Sequence, residues 1–258
     1  MSVRTLSCQL LLVAAGLAPL VAPAYTLTPN NLTLRPSGGE ASAFLQLANR
    51  ELKAAAIEIT IHEHHKDLDG RTINGRDAGD DFLIYPAQLV LIPGDEAGIQ
   101  VRWIGEPALE AERAFTLVTR EVPLPRKPAD EPDGLTGVRV DVTVLLNYEA
   151  RIYVTPAGAR PKVVVESVTE RPAGGGAADQ LEVILANQGT AHQLLARLTL
   201  VITPLSPTGS PLAQSAVTLP AREIPAMAPH LLAGERRRLL IPRPAGLPAG
   251  PVRVALAE

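Results

Sequence analysis

Three of the chain's five histidines fall within four residues, His62-Glu63-His64-His65. In an extended segment His62 and His64 share a face, so an H-x-H pair could fill two positions of a tetrahedral metal site. No third ligand of the right kind accompanies them, and the single cysteine, Cys8, lies near the N-terminus. They are read as strand-end histidines facing solvent, and no metal is expected. Asp67, Asp69, Asp77, Asp80 and Asp81 form an acidic stretch. It lacks the spaced ligands and terminal glutamate of a calcium loop, and it is read as solvated. No G-x-S-x-G elbow, phosphate-binding loop or dinucleotide fingerprint appears. Gly174-Gly175-Gly176 has no helical pattern after it and reads as a turn. The reactive residue types do not converge, so the chain reads as a non-enzyme without a cofactor.

The strongest pattern is one of position. From Val138 to Val154 every even residue is apolar or aromatic: Val138, Val140, Val142, Val144, Leu146, Tyr148, Ala150, Ile152 and Val154. The odd residues are mostly polar, with Leu145 and Tyr153 the exceptions. Such alternation predicts a strand with one apolar face, about three times the usual five or six residues in length.

The surrounding chain is built to match. Arg4, the apolar residues of 10–21 and Ala22-Pro23-Ala24 have the charge, core and small-x-small site of a secretory signal peptide. The mature chain is then expected from Tyr25, without cysteine. Stability must come from a sizeable core rather than disulfides. A formal net charge of −3 argues against nucleic acid as a bulk partner. No later segment is long and apolar enough for stable membrane insertion. Arg236-Arg237-Arg238 reads as a solvated strand entry. Twenty-four dispersed prolines disfavour long helices and suit edge strands and turns.

Short β-type runs recur between turn signals, the signature of a sandwich. Residues 27–34 change phase near Pro29. Runs follow at 41–49, 54–61, 82–94 (interrupted at Pro86), 98–104 and 114–122. Asp69-Gly70 and Asn74-Gly75 are read as turns. Residues 123–137, rich in proline and charge, are read as a mobile loop, and 155–161 as an interdomain linker. A second series occupies 162–168, 181–186, 194–202, 216–219, 239–241 and 252–256. The expected organisation is a signal peptide at 1–24, a first β-domain at 25–156 and a second at 157–258.

Several ordered motifs resemble one family. Tyr85-Pro86-Ala87, Leu91-Ile92-Pro93-Gly94 and Ile99-Gln100-Val101-Arg102 resemble the "P…L.PG…Q.VR" core of the PapD-like periplasmic pilus-assembly chaperones. Glu112-Arg113, Phe115, Leu117 and Arg120-Glu121-Val122-Pro123 look like that family's "[DE]R…F.L…E.P" strand. Arg151-Ile152-Tyr153-Val154-Thr155-Pro156 resembles its "K-[IL]-[FY]-[YV]-R-P" segment. The resemblance implies an all-β chain of two immunoglobulin-like sandwiches. It implies a periplasmic chaperone that lends a strand to incomplete pilus or fimbrial subunits and delivers them to an outer-membrane usher. That activity rests on main-chain pairing and alternate apolar pockets, and it needs no chemistry.

The resemblance also assigns residues. Arg151 falls where the family has a lysine that grips the subunit's C-terminal carboxylate, which arginine can do bidentately. Val142, Val144 and Leu146 would be the donated side chains, with Val138 and Val140 extending the register. Asn31 stands where a second cation is usual. An amide can hydrogen-bond a carboxylate but brings no charge, and Arg35 is the nearby alternative. Ala114 and Thr155 replace an acid and an arginine that tie the family's two domains, so that salt bridge is expected to be absent and the branch divergent. The competing readings are a structural fimbrial subunit or adhesin, and a secreted enzyme or metal-binding protein using His62, His64 and His65. A subunit should carry an alternating donor extension at its start, whereas here the alternating strand is central.

Overall fold

The computed structural model describes residues 25–123, 145–171, 179–224, 229–248 and 250–257. The segment read as a signal peptide lies outside these residues. So do the Gly174–Gly176 turn and most of the loop read between 123 and 137. Among the described residues every helical piece is a three-residue 3-10 turn, and no helix is long and apolar enough to cross a membrane.

The first sandwich contains β1 (Tyr25–Thr28), β2 (Asn31–Leu34), β3 (Ser42–Asn49), β4 (Ala55–Lys66), β5 (Thr72–Asp77), β6 (Phe82–Tyr85), β7 (Gln88–Leu91), β8 (Glu96–Trp103), β9 (Arg113–Val122) and β10 (Asn147–Val154). One sheet runs β1-β3-β8-β6 and the other β2-β10-β9-β4-β5, with β7 also paired to β4. The phase change near Pro29 is a change of sheet: β1 pairs antiparallel with β3, and β2 pairs parallel with β10. Pro29 interrupts the ladder because it has no N–H to give.

Alternation fills the space between the sheets. Ile57, Ile59 and Ile61 of β4, Phe115 and Leu117 of β9, and Ala150, Ile152 and Val154 of β10 are all buried in one core. Phe82, Trp103 and Phe115 pack with ring centroids 4.9–5.5 Å apart, mostly edge to face. The Arg113 guanidinium lies over two of these rings and ion-pairs with Glu63 at 2.7 Å. Gly94 takes a left-handed turn (φ 83°) between β7 and β8, and Leu91 and Val101 on either side are buried.

The second sandwich contains β11 (Val163–Arg171), β12 (Gln180–Asn187), β13 (Gln193–Leu194), β14 (Thr199–Pro204), β15 (Val217–Pro220), β16 (His230–Leu231), β17 (Arg236–Pro242) and β18 (Val252–Leu256). Its sheets run β11-β12-β17 and β15-β14-β18, with β13 and β16 paired beside them. Leu181, Val183, Leu185, Leu200, Ile202 and Ile241 lie in a separate buried core.

Three local expectations are corrected here. Asn74-Gly75 lies inside β5, at a bulge opposite β4, not at a turn. A Cβ at Gly75 would run into the Glu63 carbonyl, so the glycine serves close backbone approach. The 194–202 run is broken by a 3-10 turn at Leu195–Arg197. Arg236-Arg237-Arg238 is not a solvated entry: Arg237 is 1% exposed, and Arg238 ion-pairs with Asp69 of the first sandwich at 2.9 Å.

Candidate functional site

The site is organised by β10. This strand pairs antiparallel with β9 along its whole length, from Asn147 opposite Arg120 to Val154 opposite Arg113. On its other edge it pairs with β2 only over Arg151–Val154. Arg151 N–H donates to the Asn30 carbonyl at 2.8 Å, fixing which way the odd residues point their backbone groups. Main-chain groups of alternate residues face the same edge of a strand. Asn147 and Glu149 therefore point theirs toward the β2 side, ahead of where β2 begins. Among the described residues no strand pairs with Asn147–Ala150 on that side.

The two faces of β10 have different environments. Ala150, Ile152 and Val154 are fully buried in the first core. Leu146 and Tyr148 are half-buried against it. The buried Tyr25 hydroxyl lies 2.9 Å from the Thr119 carbonyl and 3.0 Å from that of Leu146, which ties β1 to the start of β10. Burial pushes the Tyr25 phenol up to about 12. The opposite face presents Asn147, Glu149, Arg151 and Tyr153 on the outside of the sheet. Val138, Val140, Val142 and Val144 lie outside the described residues.

Arg151 and Asn31 are brought together: they are register partners on neighbouring strands. The Asn31 amide is exposed and donates to its neighbour Asn30. Arg35 stands just past the end of β2, four residues beyond Asn31 and roughly 13 Å away at strand spacing. Its guanidinium is committed to the Thr155 and Pro156 carbonyls. It is therefore turned toward the linker and does not sit beside Arg151.

Arg151 Nη1 donates to Thr116 Oγ1 at 2.9 Å and ion-pairs with Glu149 at 3.0 Å. Thr116 Oγ1 also lies 3.1 Å from His64 Nδ1. Arginine only donates, so the threonine proton is left to serve His64, an arrangement that suits a neutral imidazole. Burial first, then the charges of Arg151 and Lys66, hold His64 down to about 3. Lys66, two residues along the same face of β4, is lowered by burial and by the charges of Arg151 and Arg237.

His64 corrects an expectation, because it is 4% exposed and does not face solvent. His65 is exposed as expected, 3.7 Å from Glu63. Among the described residues no group of three metal-ligating side chains is assembled. The acidic stretch is also not simply solvated. Asp81 ion-pairs with Arg76 and Arg113, Asp69 with Arg238, and Asp67 accepts the Asp69 and Arg71 backbone N–H groups within its turn. Glu63 would be raised by burial, but hydrogen bonds and charge from Arg113 and Arg76 bring it below the usual carboxylate range.

The sandwiches are joined by residues the sequence did not single out for that role. Glu112 accepts from Thr155 Oγ1 at 2.8 Å and from the His192 backbone N–H at 3.0 Å, and its carboxylate lies 2.7 Å from His192 Nδ1. Tyr153 stacks on His192 with centroids 4.3 Å apart, and its hydroxyl is 3.2 Å from His230 Nδ1. Burial, then the Glu112 charge, raises the Tyr153 phenol to about 12. Glu235 Oε1 accepts the Lys66 backbone N–H at 2.9 Å. Polar contacts between the sandwiches are thus present in place of the pair expected to be lost: the Glu112–His192 hydrogen bond and the Arg238–Asp69 ion pair. The signal for Tyr153 was its aromatic character on the polar phase of the alternation.

No family model matches the chain, and no curated protein matches it in sequence. Solved structures match it in fold. One is a chain of the CsuC–CsuE chaperone–tip adhesion subunit pre-assembly complex, from the archaic chaperone-usher Csu pili of Acinetobacter baumannii. It is 13% identical, with a TM-score of 0.52, over 86% of this chain and 89% of that one. Another is the class 5 fimbriae chaperone CfaA, 13% identical, with a TM-score of 0.51, over 90% of this chain and 98% of that one. A chaperone–tip adhesin complex of CFA/I fimbriae biogenesis gives 13% identity and a TM-score of 0.50, over 83% and 87%. The two-sandwich, all-β fold is the one these fimbrial chaperone structures share.

Proposed function

We propose that this chain is a periplasmic chaperone of a divergent branch of the PapD-like family. It captures pilus or fimbrial subunits by donor-strand complementation and delivers them to an outer-membrane usher. The observation that carries the reading is the half-paired β10. Among the described residues its Asn147–Ala150 segment has no strand on the β2 side, and Arg151 stands at the point where pairing with β2 begins. A client lacking a strand would add to this edge, satisfying backbone groups on both partners. Alternate apolar side chains at Val138, Val140, Val142, Val144 and Leu146 would enter the client's open groove. Arg151, with Asn31 beside it, would receive the client's terminal carboxylate by charge-assisted hydrogen bonds. The shared fold supports this reading, as do the departures at Asn31, Ala114 and Thr155, which fit a remote branch. The subunit or adhesin alternative is disfavoured because β2 already closes the C-terminal half of β10.

Co-expression with the subunit tests the proposal. The wild-type chain should yield a soluble one-to-one periplasmic complex. Arg151→Ala, or Val144→Asp, should abolish the complex while the variant remains folded. Normal retention of subunit by both variants would overturn the assignment of the binding strand.

A further inference from the structure

The joint between the sandwiches is built around two histidines of the second one. His192 lies just ahead of β13 and His230 opens β16, with ring centroids 5.0 Å apart. Facing them from the first sandwich are Tyr153 of β10 and Glu112, just ahead of β9. The Glu112 side chain is 3% exposed and accepts the Thr155 hydroxyl and the His192 backbone N–H. An ionised carboxylate only accepts, so His192 Nδ1, 2.7 Å away, is the donor of that third bond. Tyr153 stacks on the His192 ring, and its hydroxyl is 3.2 Å from His230 Nδ1. Its phenol is raised to about 12, so it keeps its proton and donates to a neutral His230.

The two imidazoles differ in what a further proton would meet. On His192 the proton faces Glu112 and turns a hydrogen bond into an ion pair. On His230 it faces the His192 ring, the Tyr153 hydroxyl and the charge of Arg151, with Glu112 already engaged by His192 and Thr155. Burial first, then the charges of His192 and Arg151 against that of Glu112, hold His230 below its ordinary range. Three further groups stand around the pair. His64 of β4 feels the charge of His230, and Arg237 of β17 donates to the His230 carbonyl at 3.2 Å. Glu235, raised by burial, accepts the Lys66 backbone N–H and acts on Tyr153. A separate set of contacts holds the β4–β5 turn on β17 without histidine. Arg238 N–H donates to the Leu68 carbonyl at 2.7 Å, and Arg238 ion-pairs with Asp69.

We propose that this joint is a proton-operated hinge: with His230 neutral, Tyr153 holds the sandwiches together, and a proton on His230 parts that contact while the β4–β5 turn stays docked on β17. The parted form gives the charged ring water, which the position against Tyr153 and His192 denies it. Below the ordinary histidine value of 6.5 the open form binds a proton that the closed form refuses. The open-to-closed ratio therefore rises as pH falls, by up to about ten-fold per pH unit for one proton. The hinge is independent of the client reading, which subunit capture by Arg151→Ala tests alone.

The test follows the arrangement of the sandwiches against pH. In a Cys8→Ser background, nitroxide labels are placed at Gln46→Cys on β3 and Thr218→Cys on β15, both exposed positions. Distances are read by pulsed electron resonance from pH 8 to 5. The unsubstituted joint should give one distance at pH 8 and a second population that grows about ten-fold between pH 6.5 and 5.5. The His230 ring signals in NMR should titrate in step with that growth, a readout that needs no variant of the joint. His230→Gln can still accept from Tyr153 but takes no proton, and it should hold the pH 8 distance throughout. His64→Gln and Glu235→Gln should keep the transition, which separates the hinge from the other buried titrating groups at the interface. Methyl spectra at pH 8 confirm that each variant is folded. A single unchanged distance from pH 8 to 5 overturns the inference. So does a transition out of step with His230, one that persists in His230→Gln, or one that is lost in His64→Gln or Glu235→Gln.

Discussion

The two halves of β10 have the same alternating sequence and different surroundings. Arg151–Val154 lies between β2 and β9, with Ile152 and Val154 fully buried. Asn147–Ala150 has β9 on one edge and no described strand on the other. The first half closes the protein's own sandwich, and the second offers an edge. A free edge is an aggregation hazard that folded proteins usually cover or blunt. Under the proposed function, the same strand holds the first sandwich together at one end and would engage a client at the other.

The contrast is open to test, and the largest effect should come from the closed half. Ile152→Ala should cost about 2–4 kcal/mol in urea denaturation, as expected for a truncated core residue. Glu149→Ala, in the open half, should stay within about 0.5 kcal/mol of wild type. Equal losses would mean that the open half is packed as firmly as the closed one.

Acidification should come next. His64 has a folded pKa of about 3, below its ordinary 6.5. Between those values the unfolded chain binds a proton that the folded chain refuses, so stability rises with pH across the window and is lost as pH falls. Glu63 acts in the same direction at the acid end. Its depressed pKa contributes stability above the unfolded carboxylate's value, and this is lost as pH falls through the folded one. Stepwise denaturation between pH 6.5 and 3 should show His64→Gln flattening the slope by about one proton. An unchanged slope would mean that His64 is not held neutral beside Arg151 and Lys66.

The smallest effect concerns the junction of the two halves. Tyr25→Phe removes the hydroxyl that meets the Leu146 and Thr119 carbonyls, and should cost about 1–2 kcal/mol. Amide exchange should quicken in the open half more than at Ile152. A uniform change would make Tyr25 a general core residue with no special hold on β10.

Much of the fold was legible because alternation reports burial directly. Ile57, Ile59 and Ile61 face the core on their phase, and the slip at Pro29 marks a change of sheet. The matched motif residues serve largely as scaffold: Leu91 and Val101 are core, Gly94 is a turn, and Arg113 binds Glu63 over an aromatic cluster. Misreadings arose where local preference met a distant neighbour. Asn74-Gly75 has turn chemistry, yet the approach of the Glu63 backbone places it in a bulged strand. His64 and Arg237 read as exposed polar residues at strand ends, and both are buried where the two sandwiches adjoin. The proposed anchor was legible, since Arg151 and Asn31 could be placed by motif. The neighbourhood of Lys66, His64 and Arg151 was not, because Lys66 lies 85 positions before Arg151 and only strand order brings it near.

The sequence alone prescribed an all-β chain with alternating apolar faces and one strand of unusual pattern. Each of these follows from residue type and a period of two, which are local properties. Tertiary structure alone decided which edge of β10 stays open, that Arg35 turns to the linker, and that Glu112, His192 and Tyr153 join the sandwiches. It also decided that Arg151, Thr116, His64 and Lys66 share one surface. Those facts depend on which strands lie side by side, and sheet order is set by contacts between residues far apart in the chain.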